Sequence, residues 1–166
     1  MKTTLILAVL TVLLVPLVLA EPPTPVLEVT GYHINPGPVF SGFNFYDHSG
    51  EQIARRTFDW EFGANEYLRK WVELNQIGPE GREPGSQHIR SVRITFTRDD
   101  SLNGSRLVID QFAVFGQTFQ AEDFDRASGC TAGFVDGRTS LVCETVGNWA
   151  EYDVRMGNPN SPLFPN

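Results

Sequence analysis

The run Leu107–Phe115 constrains this chain more than any other stretch, because it is apolar on both faces when read with period two. Val108, Phe112 and Val114 fall on one side, and Leu107, Ile109, Ala113 and Phe115 on the other. Such a segment predicts a central strand covered by protein above and below. Shorter runs alternate more plainly. Phe43 and Phe45 share a face, and Phe58, Trp60 and Phe62 share one opposite Thr57, Asp59 and Glu61. Val92, Ile94 and Phe96 alternate with Arg93, Thr95 and Thr97. Short alternating runs punctuated by Gly, Pro and Asn, with no long helical pattern, predict an all-β fold, a jelly-roll-like β-sandwich.

The segment around residues 64–74 fits two readings. Ala64, Tyr67, Leu68, Trp71 and Val72 recur at helical spacing, yet Leu68, Val72 and Leu74 also share one side of a strand. Residues 1–20 read as a secretory leader: Lys2, an apolar run Leu5–Leu19, and small residues Val18 and Ala20 before a cleavage point ahead of Glu21. The apolar run is about 15 residues, short of the roughly 20 that a spanning helix needs. Residues 21–30, which begin with Pro22, Pro23 and Pro25, read as an extended lead-in. Residues 31–156 form one domain, and 157–166 a surface tail. Gly78–Ser86 carries turn residues and reads as an exposed loop.

The net charge of −7, which becomes −8 without Lys2, argues against nucleic acid and anionic membranes as partners. It suits neutral polysaccharides and cations. Cys130 and Cys143 are the only cysteines, and in an exported (extracellular or periplasmic) protein they predict one disulfide. Oligomeric state is not legible.

Ile94–Asp123 holds the densest group of polar signals. Thr97-Arg98-Asp99-Asp100 ends one predicted strand, Leu107-Val108-Ile109-Asp110-Gln111-Phe112 begins another before Gly116, and Phe119-Gln120-Ala121-Glu122-Asp123 follows. This combination resembles the family 36 and family 60 carbohydrate-binding modules, calcium-dependent β-sandwiches that bind xylan. The resemblance favours the strand reading of 64–74. It implies a calcium site at Asp99 and Asp100, with Asp110 matching the strand acid and Asn103 and Asp136 as further oxygen donors, since calcium takes several oxygens from flexible backbone. An acid expected before the Leu107 strand is missing, and Arg106 stands near its place. The Cys130–Cys143 segment resembles a disulfide-bounded loop in some family 60 relatives, with Glu144 and Thr145 where Asn and Gly follow there. That loop would wall a cleft, with Asp136 and Arg138 facing the ligand.

Among the tryptophans, Trp60 alternates with core residues, Trp149 lies on the side of Glu151 and Asp153, and Trp71 sits with Arg69 and Glu73 if its segment is a strand. Trp149 and Trp71 are therefore the candidates for stacking on a sugar, with Arg138 beside them. Asn103-Gly104-Ser105 is an N-glycosylation acceptor. Enzyme motifs are absent, and Glu122 and Asp123 are adjacent and so a poor glycosidase pair. The expected function is non-catalytic polysaccharide binding. The alternatives are a structural or protein-interaction module and, further off, a small glycoside hydrolase.

Overall fold

The computed structural model describes residues 26–33, 38–60, 66–73, 89–101, 104–114 and 117–154. The leader, the prolines of 21–25, Asn103, the 78–86 loop and the 157–166 tail lie outside the described residues. Eleven strands are described: β1 Val26–His33, β2 Val39–Asp47, β3 Gln52–Trp60, β4 Glu66–Glu73, β5 Ile89–Asp99, β6 Leu107–Val114, β7 Gln117–Gln120, β8 Arg126–Ser128, β9 Cys130–Val135, β10 Arg138–Cys143 and β11 Trp149–Asp153. They form two antiparallel sheets. One runs β4-β1-β6-β10-β9, with β7 also on β6, and the other runs β3-β2-β5-β11-β8. The β-sandwich expected from alternation is the fold.

Alternation produces the core directly. Phe43 and Phe45 on β2, Phe58 and Trp60 on β3, and Val92, Ile94 and Phe96 on β5 all face inward and are buried. They meet Leu27, Val29, Ile109, Phe112 and Leu141 of the facing sheet. Residues 66–73 are a strand, with Leu68 and Val72 packed against the core and Trp71 turned out. The domain starts earlier than expected. Residues from Val26 to Thr30, read as lead-in, belong to β1, an inner strand with β4 on one side and β6 on the other.

β6 is central, as its apolarity predicts, but its faces differ from a strict period of two. The β1–β6 register passes from Thr30↔Gln111 to Gly31↔Ile109, which leaves Asp110 as an extra residue without an opposite number. A bulge of this kind shifts the parity by one. Leu107, Ile109, Phe112 and Val114 therefore share the core. Val108 points outward, yet it is also buried, in a second small cluster with Tyr32, Val135, Val142 and Tyr67 on the back of that sheet.

The disulfide is present. Cys130 and Cys143 stand directly opposite each other on β9 and β10, with Cα atoms 4.2 Å apart. The hairpin between these strands turns on Asp136-Gly137, both in the left-handed region, at φ 46° and 81°. Asp-Gly is the chemistry that a two-residue hairpin turn requires.

Candidate functional site

Asp99 closes β5 and organises the loop after it. One carboxylate oxygen accepts the Ser101 N–H at 2.8 Å and the other accepts the Ser105 N–H at 2.7 Å. Burial works to raise the Asp99 pKa, but hydrogen bonds from Ser101 and Ser105 outweigh it and hold the carboxyl below its ordinary value. Asp100 turns the other way. It is exposed and forms a charge-assisted pair with Arg98, including a 2.6 Å bond from Nε, and this pairing lowers its pKa. The two neighbouring acids thus serve different partners.

A second segment faces the Asp99 loop. After Cys143 the chain makes a tight loop in which Thr145 N–H donates to the Asn148 side chain and Asn148 N–H donates to the Thr145 carbonyl, both at 3.0 Å. The Phe96 backbone pins it: Phe96 N–H donates to Asn148 and Gly147 N–H donates to Phe96. Because Leu107 pairs with Cys143, the residues flanking that pair, Arg106 and Glu144, also come together, 3.8 Å apart. Between the two loops lies an open cleft of about 550 Å³, lined by Phe96, Asp99, Gly104, Ser105, Arg106, Glu144, Thr145 and Val146. Its volume is within the range of small-ligand sites. The Ser105 hydroxyl is buried and meets no hydrogen-bond partner.

The Cys130–Cys143 segment, expected to wall a cleft, lines none of this one. Asp136 and Arg138 sit at the opposite end of β10 from Cys143, roughly 16 Å away along the strand. There Arg138 donates to buried Asp110 at 2.7 Å and lies over the Tyr67 ring at 4.4 Å. Trp149 is half-buried on the outer side of the β3-β2-β5-β11-β8 sheet. The Arg93 guanidinium lies 4.2 Å from its ring and 4.9 Å from that of Tyr46. Arg93 in turn pairs with buried Glu151, which also receives Arg126. Trp71 is on the outer side of the other sheet. The two tryptophans do not share a ligand face.

Of the residues expected to hold calcium, Asp99, Asp100, Asp110 and Asp136 are not brought together, and Asn103 lies outside the described residues. Both Asp99 oxygens receive backbone N–H groups, Asp100 and Asp110 are each paired with an arginine, and Asp136 is in the distant hairpin turn. Among the described residues no three His, Cys, Asp or Glu side chains cluster for a metal, whereas calcium takes six to eight oxygens. The sequence reading missed Ser105, Arg106, Glu144 and Thr145 as site residues. The signal was the cysteine itself, since knowing that β6 pairs with β10 puts Glu144 beside Arg106.

No family model, no curated protein and no solved structure matches this chain.

The Asp99 anchor has a pH signature. A carboxyl with a depressed folded-state pKa contributes stability above the unfolded value, near 4, and that stability is lost as pH falls through the folded value. Asp99→Asn is therefore expected to cost about 1 kcal/mol at pH 7, the worth of ordinary hydrogen bonds at a partly exposed site. The difference from wild type should shrink toward zero in acid. Urea unfolding of both proteins from neutral pH into the acid range measures it, and a pH-independent difference would contradict the anchor.

Proposed function

We propose that this chain is an exported, non-catalytic carbohydrate-binding module whose cleft between the Asp99 loop and Glu144–Val146 takes a sugar unit of a neutral polysaccharide of the xylan type. One observation carries this reading. The cleft sets one exposed apolar side chain, Val146, over a floor backed by buried Phe96, within a rim of Asp99, Ser105, Arg106, Glu144 and Thr145. A pyranose offers the matching pattern, with apolar C–H faces and a girdle of hydroxyls. Arg106 and Glu144 are only loosely paired, so both have hydrogen-bonding capacity for vicinal hydroxyls. The leader pattern and the disulfide support export, and the resemblance of Thr97–Asp100 and Leu107–Phe112 to xylan-binding modules supports the ligand class.

Direct hydrogen bonds carry recognition in this arrangement, so binding is expected to survive a chelator. A glycan array followed by titration calorimetry with soluble xylan, in calcium and in chelator, tests this. The expected dissociation constant is about 10 µM to 1 mM under both conditions, with Arg106→Ala and Glu144→Ala each weakening binding about tenfold. Silence across the array in both conditions removes the reading. Binding abolished by chelator replaces direct contact with a metal bridge.

A further inference from the structure

Among the described residues, every sheet edge but one is defended against pairing with another strand. β4 carries Glu66, Arg69, Lys70 and Glu73 within eight residues. β3 carries Arg55, Arg56 and Asp59, and a register shift interrupts its pairing with β2. β8 has three residues and β7 has four. Charge, bulges and shortness are the devices that keep edges from pairing. β9 has none of them. Its sequence Cys-Thr-Ala-Gly-Phe-Val has no charge and no proline, and Phe134 is 76% exposed.

Its register shows which backbone groups are free. The Cys130–Cys143 Cα separation of 4.2 Å marks a close, non-hydrogen-bonded pair. Ala132↔Leu141 and Phe134↔Thr139 follow in the same phase, so Thr131, Gly133 and Val135 exchange bonds with β10. The N–H and C=O groups of Ala132 and Phe134 therefore point away from the sheet.

We infer that β9 pairs with β9 of a second copy of this chain, joining two sheets edge to edge about a two-fold axis through Gly133. In that register Ala132 of each copy stands opposite Phe134 of the other, giving four backbone hydrogen bonds. Each phenyl ring then lies beside the other copy's Ala132 methyl group, which removes the largest exposed apolar surface on the strand. Asp136, the nearest charge after β9, falls opposite Cys130 rather than opposite itself, so no like charges meet. Self-pairing is favoured over a foreign strand because this edge is uncharged and matches its own reverse. Paired strands run in opposite directions, so the clefts of the two copies open at opposite ends of the joined sheet.

The contact is small, so the dimer should be weak. Sedimentation velocity of the oxidised, leader-free chain from about 10 µM to about 1 mM should show conversion from monomer to dimer. Phe134→Lys and Ala132→Lys should each weaken dimerisation at least tenfold while leaving the melting curve in place, because both positions are exposed. Trp71→Lys, at an exposed aromatic on the charged β4 edge, should leave it intact. A wild-type chain that stays monomeric throughout overturns the inference. So does a dimer that tolerates Phe134→Lys, or one that Trp71→Lys breaks instead.

Discussion

Replacing Cys130 and Cys143 together with alanine is expected to lower stability by about 3 kcal/mol, the loop-closure value for a ring of this size. For a domain of this length the melting temperature should fall on the order of 10 °C. Native geometry supports a full effect. The cysteines are in direct register on neighbouring strands and buried against the core, so the bond joins positions that the sheet already places together. It constrains the unfolded chain without displacing folded backbone. Thermal unfolding of wild type with and without reductant supplies the internal control: reduced wild type should melt with the double variant. A double variant that melts within about 2 °C of oxidised wild type would show that the bond contributes little.

Trp60→Ala should be the most damaging single substitution, at about 3–5 kcal/mol. Trp60 ends β3 and is buried where the two sheets meet. Its ring lies so close to β1 that a Cβ built on Gly31 would stand 2.9 Å from it, which is why glycine occupies that position. Its indole N–H donates to the buried Ser41 hydroxyl at 3.0 Å, and the Lys70 ammonium sits 5.6 Å from the ring. Trp60→Phe keeps much of the packing but leaves Ser41 without its donor, so a loss of about 1–3 kcal/mol is expected. Gly31→Ala should also destabilise, by forcing the indole aside. Because the two changes act on one contact, their costs should not add: Gly31→Ala should be milder in the Trp60→Phe background, by at least about 0.5 kcal/mol. Chemical denaturation of the four proteins of this cycle measures the coupling. Strict additivity would mean that the indole and Gly31 do not press on each other.

The sandwich was legible because burial in a sheet writes itself into the chain with period two. Phe43 and Phe45 of β2 and Val92, Ile94 and Phe96 of β5 needed only local reading. The faces of β6 were misread beyond Ile109, because a bulge depends on what stands across the ladder, and the β1 sequence gives no sign of it. Trp71 illustrates the same limit. Periodicity alone slightly favours a helix for its neighbours, and pairing with β1 makes them a strand. The site was legible in outline only. An acidic loop beside a disulfide was visible, but residue type alone did not disclose that Asp99 turns to backbone N–H groups and Asp100 to Arg98. Arg106 and Glu144 were each visible, but not as neighbours, because they meet only through the distant pairing of Leu107 with Cys143.

Gly129 separates β8, in one sheet, from β9, in the other. Its φ of 74° and the Asn148 side chain packed over it leave no room for a larger residue. The chain passes between the layers within a single residue, and the cystine follows at once. The cystine ties β9 to β10 within one layer, so the crossing at Gly129 and the return from Cys143 to β11 are held side by side, and local opening at this end must move both chain crossings together.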